Sequence, residues 1–315
     1  MMEQREAASW LRARLDRALA GRQIEEIVPT PRALVAFEAA AAVSVDPALV
    51  MRAAAKLRAE GKLLPAEQEA LEVGIRLARP ALRMERGRLP MVSALALDEK
   101  ERSSIEAMLP GIATVGWNWD IPLATAFQVA PCVLATNAHV AEKLLHESQA
   151  LACGHFVARF DADAERSQRV IPITAVLALH PVEDVAFLAL ADDGPLAHGL
   201  RLAREPQLTQ GGHVLVVGYP LYSDSSPAFV DALFENVYGV KRGSPGELLG
   251  LEADLIYHDC TTLPGNSGSP VFDARTGLVV GIHASGQFAF RNTAVSTRAI
   301  HAQPQLRPLV AAWEA

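Results

Sequence analysis

The sequence predicts a mainly β protein, an antiparallel barrel or sandwich, preceded by a small α-helical bundle. Three observations point there. Up to about residue 86 apolar residues recur at helical spacing. Beyond about residue 108 short runs of Val, Ile, Leu and Phe alternate with turn residues, and no helical stretches intervene. The chain has 315 residues, 50% hydrophobic and 21% charged, enough for two domains and a sizeable core. The charged segment 98–106 lies at the change of period, so residues 1–108 are read as a helical adaptor or regulatory module with its linker, and 109–315 as the β domain.

The helices follow from spacing and punctuation. Trp10, Leu11, Leu15 and Leu19 mark the first, with Gly21 as its stop. Pro31 to Val43 is an Ala-rich second segment. Asp46 and Pro47 give an N-cap and a first-turn proline ahead of Leu49, Val50, Ala53, Ala54 and Leu57, and Gly61 closes the run. A fourth helix starts near Pro65 and carries Leu71, Ile75 and Leu82. The arginines at 76, 79, 83, 86 and 88 are read as a solvated helix face, the alternative being a patch for an acidic partner. The strands are read from "ATAFQVA", "CVLATNA", "DVAFLAL", "HVLVVGYP", "SPVFD" and "LVVGIHA".

Charge and cysteines narrow the function classes. Residues 1–108 hold 17 Lys/Arg against 16 Asp/Glu, whereas 109–315 hold 12 against 20, within a net charge of −7. That balance gives no reason to expect nucleic acid as a partner. Three cysteines, Cys132, Cys153 and Cys260, are too few and odd in number for a disulfide framework. The first twenty residues carry charges every few positions, unlike a secretory signal, and no apolar run reaches the length of a membrane span. The expectation is a cytoplasmic protein with free thiols, no membrane contact, no cofactor and no metal.

The stretch "TTLPGNSGSPVF", Thr261 to Phe272, surrounds Ser267 with glycines and prolines and so predicts a tight turn that presents a hydroxyl. A serine hydroxyl needs an imidazole base, and the base an orienting carboxylate. Among nine histidines, His139 closes the strand "CVLATNAHV" and opens the helix "AEKLLHE". In "HPVEDVAFLAL", Asp184 stands at the entrance to an apolar strand, with Glu183 beside it as the rival. Each feature also has a plain structural reading: an exposed histidine, a turn-capping aspartate, a Gly/Ser hairpin. It is their joint occurrence, in this order, that points to acyl-transfer chemistry.

"TNAHV", "EDVAFLAL" and "GNSGSPVF" resemble the three signature blocks of chymotrypsin/trypsin-like serine proteases, in that family's chain order. The resemblance covers about 109–315, including "NTAVSTRAI…LRPLVAAW", similar to that family's last strand and C-terminal helix. It implies two six-stranded antiparallel β-barrels with a C-terminal helix, His139 and Asp184 on the first barrel and Ser267 on the second. It further implies an oxyanion hole made by the backbone N–H groups of Gly265 and Ser267. "ENVYGVKRGSPGEL", "TTLPGNSGSP" and "GIHASG" resemble the bacterial branch that contains the glutamyl endopeptidases. By that resemblance Thr262 and His283 contact a substrate carboxylate, and the strand Ala284, Ser285, Gly286 pairs with peptide backbone. As an alternative, His283 is a satisfied core histidine.

The chain departs from the family in two places. Asn266 stands where many secreted relatives have an aspartate that pairs with a newly cleaved N-terminus, and Val140 replaces the usual cysteine after the catalytic histidine. The implied function is a serine endopeptidase on protein or peptide substrates, cleaving after Glu or Asp, with the helical module recruiting a partner protein or regulating it. Two alternatives remain: an idle protease fold used for binding, and an acyl-hydrolase on small esters.

Overall fold

The computed structural model describes residues 11–16, 47–59, 61–91, 95, 97–118, 121–146, 154–160, 169–223, 234–287 and 291–314. They divide into two compact units. The first is Met1–Ala81 with Asp224–Val237 and Gln287–Arg291; the second is Leu82–Ser223, Tyr238–Gly286 and Asn292–Ala315.

In the first unit residues 11–16 are helical, followed by α1 (Pro47–Arg58) and α2 (Pro65–Ala78). Their inward positions, Leu11, Leu15, Val50, Ala53, Ala54, Leu57, Leu71 and Ile75, are buried as the spacing predicts. Glu67 in the first turn of α2 accepts the Leu64 N–H at 2.6 Å and pairs with Lys56 at 2.9 Å, joining the two helices. The Ala-rich second segment, 31–43, lies outside the described residues.

The second unit begins earlier than the change of period suggests. Residues 82–108, read from the sequence with the helical module, pack with the β domain. Strand β1 (Leu82–Arg83) pairs with a strand of the second barrel, and Met84, Leu89, Leu95, Ile105 and Met108 join its largest hydrophobic core. Arg83 lies on β1 and Glu85 bridges to Arg88 across a turn, so the basic run is not one helix face. Helix α3 (Glu99–Glu106) is set by a capping box, with Asp98 accepting the Glu101 N–H and Glu101 accepting the Asp98 N–H, both at 2.8 Å.

Six strands then close a barrel: β2 (Ile112–Trp117), β3 (Ile121–Ala130), β4 (Val133–Thr136), β5 (Phe156–Phe160), β6 (Arg169–Leu179) and β7 (Ala186–Leu190), in the order β2-β3-β4-β7-β6-β5. Helix α4 (Ala138–His146) leaves from the end of β4. After the two-residue β8 (Leu202–Ala203) come β9 (His213–Gly218), β10 (Arg242–Glu252), β11 (Leu255–His258), β12 (Pro270–Asp273), β13 (Val279–Gln287) and β14 (Arg291–Ser296). Their pairings form a second closed ring of six, β9-β10-β11-β14-β13-β12. The C-terminal helix α5 (Thr297–Ala302) is only six residues long. Beyond it the chain makes a 3-10 turn at Arg307–Leu309 and forms β15 (Trp313–Glu314), parallel to β8. Pro304 follows Gln303 directly, and the residue before a proline is driven out of the helical region, as Gln303 is at ψ 111°.

Each barrel has its own core, such as Phe156, Phe160, Ile173 and Leu188 in the first and Val214, Val216, Ile256 and Val280 in the second. The larger core joins them, with Phe127 and Phe187 from the first against Leu215, Phe272 and Ile282 from the second. The second unit is thus a mainly β, two-barrel, chymotrypsin-like fold.

Candidate active site

His139 sits where strand gives way to helix. β4 ends at the buried Thr136, and the Asn137 carbonyl starts α4 by accepting the N–H groups of Val140 and Ala141, both at 3.2 Å. The Asn137 side chain donates to the Asp184 carbonyl at 2.8 Å, so the histidine junction and the aspartate turn are tied through a third residue. Asp184 accepts the His139 main-chain N–H at 3.0 Å with Oδ1, and its Oδ2 lies 2.8 Å from His139 Nδ1. Burial alone raises the Asp184 pKa. The hydrogen bonds from the His139 ring and N–H, with the His139 charge, outweigh it and leave the carboxyl below its usual range. Asp184, and not Glu183, faces His139; the Glu183 N–H instead donates to His180 Nδ1 at 2.8 Å.

His180 was not singled out from the sequence. Buried, it accepts the N–H groups of Val182 and Glu183 on Nδ1 and faces the Ala299 carbonyl with Nε2 at 3.3 Å. It shapes the turn that delivers Asp184.

Ser267 lies on the turn before β12, half-buried, with Oγ 3.4 Å from the Ala284 carbonyl. Gly265 and Gly268 adopt φ of +90° and +84°, the left-handed region that glycine enters without a Cβ penalty. A Cβ at 265 would stand 2.4 Å from the Tyr219 carbonyl oxygen, and one at 268 would stand 2.1 Å from the Thr125 carbonyl oxygen. The turn docks on the first barrel through Thr125, whose N–H donates to the Ser267 carbonyl at 2.9 Å. Thr136 donates to the Thr125 carbonyl at 2.8 Å, only three residues ahead of His139. The N–H groups of Gly265 and Ser267 have no hydrogen-bond partner among the described residues. Asn266, buried behind them, donates to the Leu263 carbonyl at 3.2 Å.

The other candidate residues surround this turn. His283 is bound to it by two main-chain bonds of 2.8 Å: Gly268 N–H to the His283 carbonyl, and His283 N–H to the Ser269 carbonyl. Its ring is buried against His258, with His258 Nε2 3.2 Å from His283 Nδ1, while His258 Nδ1 accepts the Cys260 N–H at 3.3 Å. Burial holds both imidazoles neutral: His258 is lowered to about 3, and His283 is pushed well below its usual range by burial, then by His258 and His139. The protonation order follows from the bonds. An acceptor Nδ1 leaves the His258 proton on Nε2, which donates to His283 Nδ1 and leaves the His283 proton on Nε2. A site built on His283 therefore meets an anion with a neutral donor rather than a fixed positive charge.

Thr262 is half-buried, with its Oγ1 3.7 Å from where a Cβ on Gly286 would stand. Ala284 is half-buried, and Ser285 and Gly286 are exposed at the end of β13. Asn292, which sequence reasoning missed, packs across Gly286 and donates to the Cys260 carbonyl at 2.6 Å. Among the described residues no group of three or more His, Cys, Asp or Glu side chains is arranged to hold a metal ion.

Residues 124–282, just over half of the chain, match the family model described as a trypsin-like peptidase domain. A search of curated proteins found no match. Among solved structures, Rv3671c from M. tuberculosis H37Rv in an inactive mutant form is 19% identical with a TM-score of 0.45, over 68% of this chain and 94% of that one. Deg5 is likewise 19% identical with a TM-score of 0.45, over 64% of this chain and 92% of that one. The family match runs from within β3 to within β13, a span that contains His139, Asp184 and Ser267, and by it the chain belongs to the trypsin-like peptidase domain family.

Proposed function

We propose that the chain is a serine endopeptidase with Ser267 as nucleophile, His139 as general base and Asp184 as orienting carboxylate. The observation that carries this reading is the 2.8 Å approach of Asp184 Oδ2 to His139 Nδ1. It keeps the proton on Nδ1 and leaves Nε2 as the lone pair that takes the serine proton. Attack on a peptide carbonyl puts negative charge on its oxygen, and the N–H groups of Gly265 and Ser267, without a partner among the described residues, are the donors suited to it. His139 then returns the proton to the departing amine, and water hydrolyses the acyl-enzyme by the same steps. The β13 segment Ala284 to Gly286 offers an extended edge to peptide backbone, which favours peptides over small esters.

For the residue before the scissile bond, we favour Glu or Asp. Thr262 offers a hydroxyl and His283 an Nε2–H, two donors for a carboxylate. The N-terminal helical unit is read as a module that recruits a partner protein or regulates the peptidase, and the site of action as the cytoplasm. A fluorophosphonate probe tests the chemistry: wild type should label and Ser267→Ala should not. Failure of wild type to label would make the fold an idle binding module. A peptide library then tests specificity, where preference for Arg, Lys or a large apolar residue would overturn the Glu/Asp reading and leave the chemistry standing.

A further inference from the structure

Thr125 has two polar backbone groups that the barrel does not use. The β3–β4 ladder ends at Phe127 and Ala135, because the chain turns into α4 soon after Thr136. The Thr125 N–H and carbonyl are left pointing to the side where β4 would continue. Both are taken: the N–H by the Ser267 carbonyl at 2.9 Å, and the carbonyl by Thr136 Oγ1 at 2.8 Å. The hydroxyl of this wholly buried residue is used twice as well, donating to the Gly265 carbonyl at 2.7 Å and accepting the Tyr219 N–H at 3.0 Å.

The Gly265 bond matters because of the peptide planes around it. In a trans peptide the N–H points opposite the carbonyl of the same plane. The Gly265 N–H is therefore aimed by the Pro264 carbonyl, which the Leu221 N–H holds at 2.7 Å. The Ser267 N–H is aimed by the Asn266 carbonyl, which the Ser269 N–H holds at 2.9 Å. Between them lies the Gly265–Asn266 plane. Its N–H is held at 3.1 Å by the Leu263 carbonyl, inside the same turn, and its carbonyl by the Thr125 hydroxyl. Among the described residues, only the middle of the three carbonyls that set this turn is anchored by a side chain, and that side chain comes from the other barrel. Gly265, at φ +90° with no Cβ, has little intrinsic resistance to rotating that plane.

We propose that Thr125 is a positioning residue for the reaction: its hydroxyl, reaching from β3, holds the central peptide plane of the turn so that the Gly265 and Ser267 N–H groups converge on one point. This rests on the reading of Ser267 as nucleophile and of those two N–H groups as oxyanion donors. It deepens that reading by supplying what orders the turn in a chain whose Asn266 cannot make an ion pair with an N-terminal amine.

The test uses the full-length protein with Thr125→Val, which keeps shape and removes the hydroxyl, and Thr125→Ser, which keeps the hydroxyl and removes the methyl. Valine should lower kcat on a cleaved peptide by roughly 10- to 100-fold, less than outright loss of an oxyanion donor. KM should stay within about threefold, since the defect lies in the transition state. Fluorophosphonate labelling should slow in parallel, and serine should restore most of both. Thr125→Ala gives the same comparison with serine should valine not fold. Equal kcat in the valine and wild-type proteins, or a serine variant as impaired as the valine one, would overturn the proposal, because packing rather than the hydroxyl would then matter. Wild type that fails to label would instead remove the peptidase reading itself.

Discussion

Asp184 grips His139 at two points, its Oδ1 accepting the main-chain N–H at 3.0 Å and its Oδ2 facing ring Nδ1 at 2.8 Å. One carboxylate thereby fixes both where the imidazole is and which way it is turned. A main-chain bond sets the position of the residue and a ring bond sets the tautomer, and a general base needs both.

The first expectation concerns that pair and the serine. Replacing Ser267 or His139 by Ala should lower kcat by about 10⁴- to 10⁶-fold, and Asp184→Ala somewhat less. Glu183→Ala should leave turnover near wild type, since the Glu183 N–H turns to His180. Steady-state kinetics on one cleaved peptide separates the two carboxylates, and the reverse order of losses would reassign the role.

Acid sensitivity follows from the same carboxylate. The Asp184 pKa is depressed in the folded protein, because hydrogen bonds from the His139 ring and N–H outweigh the opposing effect of burial. A depressed acid stabilises the fold above its unfolded value of about 3.9 and loses that contribution as pH falls through the folded value. The Tm advantage of wild type over Asp184→Asn, read by thermal melts, should therefore be full at neutral pH and shrink below about pH 4. A difference constant from neutral pH down to strong acid would contradict it.

The turn glycines should not tolerate a methyl group. Gly265→Ala places a Cβ 2.4 Å from both the Tyr219 carbonyl oxygen and Leu221 Cγ, at a φ of +90°. Displacing this peptide should cut kcat by about 10²- to 10³-fold, as loss of an oxyanion donor does. The strain should destabilise the fold by about 1–3 kcal/mol. Paired kinetics and chemical denaturation measure both, and unchanged kcat would show that the Gly265 N–H takes no part.

Thiol chemistry offers an independent check. Cys132 donates to Asp193 Oδ1 at 2.9 Å, and that hydrogen bond, then burial and the charges of Asp193 and Asp192, raise its pKa. Its thiolate fraction at neutral pH is small, so iodoacetamide should alkylate it slowly, and Asp193→Asn should speed the reaction. Under the proposed cytoplasmic site of action, peptidase activity should survive strong reductant. Loss of activity on reduction alone would contradict the cytoplasmic reading.

Local pattern carried much of this protein. The helical spacing of Val50, Ala53, Ala54 and Leu57 and the apolar strand runs are short-range features, and each reappears as a buried face. "TNAHV" ends a strand and starts a helix because Asn137 can begin α4, and "PGNSG" makes its turn because glycine alone enters those φ values without strain. What the tertiary structure decided is long-range. Thr125 reads in the sequence as one more strand residue, yet its hydroxyl bonds Gly265, 140 positions away. His180 and His258 carry no motif, and become organisers of the site only through the carbonyls, amides and ring that folding brings to them. The start of the β unit at Leu82 rests on β1 pairing with β10, a match between two distant segments that no period within either one announces. Even the charge of His283 was settled by burial, since the same imidazole in water would titrate near its ordinary value. Periodicity and turn chemistry act between neighbours along the chain, so a sequence displays them. Hydrogen bonds across barrels and desolvation depend on which distant groups meet, and only the folded chain sets that.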